Sequence, residues 1–176
     1  MRGRDFYLQY LVMILATHAI TGALLAQVAT THPEAAFGLG FISHFALDAL
    51  PHWDYQLASE VKNESDPLHK EFKTGPVFWR DLVKIGGDCL VGCLLVLGAV
   101  WWLDFDPWLA GAGLVGALVP DALQFAYAKL GWRPLKWLQA FHQAVHTSWR
   151  LTGRPLIGLG LQISLVAILF SALFLL

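Results

Sequence analysis

Charge is the scarcest property of this 176-residue chain: Asp, Glu, Lys and Arg together make up 14% of it, against roughly 25% in ordinary soluble domains. With 56% hydrophobic residues and a mean hydropathy of +0.53, that scarcity excludes an ordinary soluble globule. The expected organisation is one polytopic membrane domain over residues 1–176. A basic excess is also missing, since the formal net charge is −1, and with it the electrostatic footprint of a nucleic-acid binder. Cysteine is rare: Cys89 and Cys93 lie four residues apart in an apolar run, where a disulfide along a helix has poor geometry. They read as packing residues, the alternative being one thiolate ligand beside Asp88. Internal repeats and low-complexity tracts are absent.

What is present is long apolar stretches. Five can be drawn: Phe6 to Thr30, Ala35 to Leu50, Val83 to Leu103, Trp108 to Tyr127 and Leu156 to Leu176. The first follows Met1 to Arg4 in the layout of a signal peptide, but no small-x-small cleavage site closes it, so it is expected to be an uncleaved span. The second is short and polar for a span, and is expected to be tilted, broken or covered by its neighbours. Gln56 to Pro76 reads as a solvated loop with some helix. Gly131 to Arg154 mixes Trp132, Trp137, Phe141 and Trp149 with Arg133, Lys136 and Arg150, which suits an amphipathic helix at a membrane interface. The fold class expected is therefore all-α, a polytopic transmembrane bundle of about five apolar helices plus one amphipathic interfacial helix.

All twelve basic residues fall in three places. Arg2 and Arg4 precede the first segment; Lys62, Lys70, Lys73, Arg80 and Lys84 follow the second; Lys129, Arg133, Lys136, Arg150 and Arg154 follow the fourth. The opposite connections carry Glu34, Asp104 and Asp106 and no Lys or Arg. The positive-inside rule then puts the N-terminus and both long loops in the cytoplasm and the C-terminus outside, in a prokaryotic inner membrane.

Against that apolar background stand His18, His44, His52, His142 and His146, with Asp48, Asp54, Asp88 and Asp121. A central Asp in a membrane span costs about 2.5 to 3.5 kcal/mol even on a mild insertion scale, so several together call for one explanation. A shared metal site is the simplest. The expected topology brings most of these residues to the cytoplasmic half of the bilayer, with His18 nearer its middle. His44 and Asp48 are i and i+4, as are His142 and His146, so each pair projects from one helix face. Pro51 is expected to end or bend the helix before His52, leaving Asp54 in the turn that follows.

Each residue also has a simpler reading. His18 can be a lone interhelical hydrogen-bonding group, Asp121 can cap a helix beginning at Ala122, Asp54 can close a turn, and Asp88 can favour a helix dipole. His32 and His69 fall outside the geometry and are left out of the site. Imidazole with carboxylate suits Zn²⁺, with Mn²⁺ or Fe²⁺ as alternatives, and nine candidate ligands exceed what one zinc needs, so two or more ions are expected.

Thr17 to Ala23, then the run Ser43-His44-Phe45-Ala46-Leu47-Asp48-Ala49-Leu50-Pro51-His52-Trp53-Asp54, then Pro120-Asp121 and Phe141 to His146, resemble the small inner-membrane metal-dependent hydrolases of the YdjM-like type. That grouping is similar to the zinc phospholipase C and P1 nuclease superfamily. The resemblance implies an all-helical fold with a zinc cluster that hydrolyses phosphate esters. It also implies that His44 and Asp48 form a ligand pair whose carboxylate can bridge metals. His142 and His146 stand where the superfamily has a second i, i+4 pair, there commonly His with an acid and here two His.

Three functions follow. The first is a membrane-embedded metal-dependent hydrolase, phospholipase C-like or a lipid phosphatase, acting on a lipid phosphate ester from the cytoplasmic leaflet. Its metal ligands are His18, His44, Asp48, His52, Asp88, Asp121, His142 and His146; Asp48 is also catalytic, and Asp54 is a ligand or the general base. An opening beside Trp53, Trp132, Trp137 and Trp149, with Arg133, Arg150 and Arg154, is expected to hold the lipid. The second is a divalent-metal transporter, which the apolar run Leu94 to Trp102 counts against. The third is a non-catalytic module stabilised by its metal.

Overall fold

A computed structural model describes residues 11–63, 66, 68–147, 149, 151, 153–172 and 175. Six α-helices occur among them: α1 Leu15–Ala29, α2 Pro33–Asp48, α3 Pro76–Trp102, α4 Pro107–Leu130, α5 Lys136–Val145 and α6 Pro155–Ala172. Four short strands, β1 Leu11–Met13, β2 Asp54–Gln56, β3 Glu60–Lys62 and β4 Lys70–Phe72, form two antiparallel pairs, β1 with β2 and β3 with β4. Local chemistry sets the helix ends. Prolines 33, 76, 107 and 155 occupy first-turn positions, where a missing N–H is harmless. Asp106 accepts from the N–H groups of Trp108 and Leu109, and Gly131, at φ +59°, closes α4.

The centre of the bundle is α1, α2 and α4, and small residues bring them together. A Cβ on Gly22 or Gly40 would run into the Gly113 carbonyl, and one on Gly116 into the backbone of Phe37. Such close backbone approach lets helices associate where lipid tails give no hydrophobic drive between them. The outer helices α3 and α6 are buried along little of their length. Leu90, Leu94, Leu97 and Trp101 form an exposed apolar stripe on α3, a surface suited to hydrocarbon rather than water.

Among the described residues three helices, α3, α4 and α6, are long and apolar enough to cross a membrane. The expectation of about five apolar helices is met in part, since α1 and α2 are shorter. With 15 residues, α1 reaches only about 22 Å at 1.5 Å per residue, and α2, with 16, about 24 Å, against a hydrocarbon core of about 30 Å. The first apolar segment is shortened because Leu11–Met13 is extended and pairs with Asp54–Gln56; Phe6, Arg2 and Arg4 lie outside the described residues. In the polar stretch the expected helical content is replaced, among the described residues, by the β3–β4 pair. Asp81 on α3 anchors that region by accepting from the Ser59 N–H at 2.7 Å.

The short connections 30–32 and 103–106 share one end of the bundle. Gln27, in the last turn of α1, donates to the Asp106 carbonyl at 2.9 Å and accepts from its N–H at 3.1 Å. Both long connections, 49–75 and 131–154, therefore lie at the other end, joined by backbone bonds from Thr147 to Asp48 and from Leu151 to His52. The amphipathic segment is realised as α5. It turns Leu138, Gln139 and His142 inward and leaves Trp137 and Phe141 exposed.

Candidate metal centre

The ligand-type residues converge at the end that carries the long connections. His44 and Asp48 share the inner face of α2, one turn apart, and both are buried. His18 comes from the first turn of α1 rather than from mid-span, because that helix starts only at Leu15. It stacks on His44 with ring centroids 4.1 Å apart. Asp121 reaches in from α4, and His142 from the last turn of α5. The helix at Asp121 runs unbroken through Pro120, so the reading of Asp121 as the cap of a helix starting at Ala122 is corrected.

Nε2 of His44 lies 3.3 Å from His142 Nε2, 3.3 Å from Asp48 Oδ2 and 3.7 Å from Asp121 Oδ1. His18 Nε2 stands 3.4 Å from Asp48 Oδ1. A tetrahedral ion with bonds of about 2.0–2.1 Å has ligand atoms about 3.3–3.4 Å apart. Nδ1–H of His44 donates to the Ala117 carbonyl at 2.8 Å, which fixes the ring and leaves the Nε2 lone pair facing this space. His142 instead makes a short 2.6 Å bond from Nε2 to Asp48 Oδ2. His18 is fully buried and neither of its nitrogens has a hydrogen-bond partner. Buried polar atoms are normally satisfied, so an imidazole held this way is in want of a ligand.

A second lobe is built by the Pro51–Asp54 turn. The helix ends at Asp48, as Pro51 predicts, and His52 donates from Nδ1 to the Leu50 carbonyl at 2.6 Å while Nε2 lies 2.7 Å from Asp54 Oδ1. Burial opposes charge on His52, but the Asp54 carboxylate outweighs it and holds the imidazole above its ordinary value. Asp54 itself is buried on β2, paired in register with Met13, and Oδ2 makes no hydrogen bond. His146, just past α5, has its ring 4.9 Å from that of His52. Among the described residues three sets of groups could each hold a metal ion: His18, His44 and Asp48; His44, Asp121 and His142; Asp48, His52 and His146. They share His44 and Asp48, so they form one continuous centre.

Asp88 stays outside it. Its two carboxylate oxygens accept from Leu15 N at 2.6 Å and Ala16 N at 3.2 Å, capping α1 from a neighbouring helix. The helix-dipole reading of Asp88 is thus realised on α1 and not on its own helix. Tyr55, on the strand beside Asp54, is pushed above the usual phenol range by burial and then by the charges of Asp88 and Asp121. His32 is exposed beside Glu34, and His69 packs edge-on against Tyr127, so neither joins the site.

Comparison with protein families, characterised proteins and solved structures matches this chain to none of them. The centre is therefore read from its own residues. Two glutamines that sequence reasoning passed over help to build it. Gln124 donates to His142 Nδ1 at 3.4 Å and accepts from Lys70 at 3.1 Å, so it orients one imidazole. Gln162, buried in the most apolar helix, accepts from Thr17 and donates to the Trp53 carbonyl, tying α6 to α1 and to the turn that carries His52 and Asp54. An uncharged amide in an apolar span was the signal available for Gln162.

Proposed function

We propose that this chain is a membrane-embedded metal-dependent hydrolase, most consistent with zinc, that cleaves a phosphate ester of a lipid or lipid-linked substrate from the cytoplasmic leaflet. The observation that carries the reading is the convergence of five imidazoles with Asp48 and Asp121, buried but for the half-buried His146 and Asp121, with Asp54 beside His52; in it the His18 nitrogens and Asp54 Oδ2 lack hydrogen-bond partners. Mixed nitrogen and oxygen donors suit zinc over Mg²⁺ or Ca²⁺. His18, His44, Asp48, His52, Asp121, His142 and His146 would hold two or three ions, with Asp48 and His44 shared between sets; Asp88, already engaged in capping α1, drops out. When bound, such ions supply positive charge for phosphoryl oxygens and an activated water.

The chain's own groups do the rest. Asp54, oriented by His52 and with one oxygen unengaged, is placed to take the proton of the attacking water. The water oxygen bonds to phosphorus, the P–O ester bond breaks, and the leaving alkoxide takes up the proton that Asp54 accepted, so that one water is consumed and Asp54 is restored. The resemblance to YdjM-like hydrolases agrees with this chemistry. Purification in detergent, metal analysis and an assay of phosphate or diglyceride release from mixed lipids test it. The His44→Ala, Asp48→Ala double variant is expected to lose both bound metal and activity, and retention of both would overturn the assignment.

A further inference from the structure

A cavity of about 340 Å³ opens between α3 and α4 beside the metal centre. Its walls are apolar over most of their area, with Leu82 and Ile85 from α3 facing Leu118 and Phe125 from α4. The charged and polar exceptions are Asp121, Gln124 and the ion pair of Lys70 with Glu60, 3.4 Å apart on the β3–β4 side. Asp121 lines both cavity and centre, and Gln124 joins Lys70 there to His142. Gly86 lines the same space, and a Cβ built on it would meet nothing within 4 Å.

We propose that this cavity holds an alkyl chain of a membrane lipid whose head group lies at the metal centre. Both helices that frame it are long and apolar enough to cross a membrane, and Leu82 and Phe125 on its wall are also exposed on their surface, which makes hydrocarbon the side from which a chain would enter. Water is a poor occupant of the remainder, where Leu82, Ile85, Leu118 and Phe125 offer it no polar partner. The volume falls at the small end of ligand sites, about 300–1,000 Å³, which suits one chain rather than a bulky polar ligand. Access is then lateral, between α3 and α4, and distinct from the Trp-lined opening expected from the sequence. There Trp53 packs instead against Gly158 of α6, and Arg150 lies outside the described residues.

The head-group placement rests on the hydrolase reading; the chain site does not. The test uses the full chain in nanodiscs containing phosphatidylglycerol with a diazirine near one acyl terminus, irradiated and mapped by mass spectrometry. Adducts at Leu82, Ile85 and Leu118 are expected to exceed those at Leu90 and Leu97 on the exposed face of α3 several-fold. Gly86→Leu, which fills open space, is expected to remove that excess and leave labelling at Leu97 unchanged; Leu118→Trp provides a second filling variant. Even labelling along α3 in the unsubstituted protein, or an excess that survives both variants, overturns the proposal. Labelling requires no turnover, so excess labelling without hydrolysis removes only the hydrolase reading, and hydrolysis with even labelling removes only the chain site.

Discussion

Asp48 is the residue on which the most demands meet. One oxygen faces His18, and the other faces both His44 and His142. A carboxylate surrounded in this way is inexpensive to bury only while its partners stay in place, and their orientation depends on groups that belong to none of the candidate ligand sets. Gln124 is the clearest example. Gln124→Leu keeps the volume of the side chain but removes the donor to His142 Nδ1. It is expected to weaken zinc binding about 10- to 100-fold, a typical loss for a partner behind a metal-ligating imidazole, measurable by competition with a chelating dye. At this scale the sequence was informative for ionisable side chains, because an Asp or His in an apolar run is conspicuous. It was silent on Gln124, whose role depends on a contact with His142, 18 residues away on another helix.

Elements show where local patterning competes with tertiary pairing. The first apolar segment reads as one long span, yet its helix starts late. The backbone of Leu11–Met13 pairs with Asp54–Gln56, and Asp88 then captures the N–H groups of Leu15 and Ala16. Neither partner is near in sequence, so no window of hydropathy could have shown it, and the same late start carries His18 down to the centre. If Asp88 is a cap and not a ligand, Asp88→Ala should lower stability by about 0.5–2 kcal/mol while metal content stays at the unsubstituted level. Thermal unfolding and metal analysis on one sample separate the two roles.

The link from the polar loop to α5 is electrostatic. Lys136 donates to Asp66 at 3.0 Å, and together with the Leu68 N–H it holds the Asp66 carboxyl below its usual value. Because the folded value is depressed, the contribution is complete above the unfolded value of about 3.9 and disappears as pH falls through the folded one. The difference in melting temperature between the unsubstituted protein and Asp66→Asn is therefore expected to be small and level near neutrality and to close in acid. The pairing of β3 with β4 was hidden in a segment whose charge suggested only solvation.

For the whole molecule, the distribution of Lys and Arg anticipated a real division. The two connections without basic residues share one end, and the long, basic ones share the end that carries the metal centre. Under the positive-inside rule, alkaline phosphatase fused after α6 is expected to be active in cells, and the same reporter inserted between β3 and β4 inactive. The reverse pattern would place the centre on the opposite face. What the sequence could not supply was how near the helices lie, since that depends on which small residues meet.

Those meetings also set the reach of the ligands. His18 lies one helical turn from Gly22, His44 one turn from Gly40, and Asp121 one turn from Ala117, against which both glycines pack. The three helices thus meet at a fulcrum of Gly22, Gly40, Gly113 and Ala117, and the candidate ligands sit at equal short distances along its arms. Any methyl group added at that fulcrum would spread the arms before it touched a candidate ligand, so the glycines govern how far apart the histidines and carboxylates stand.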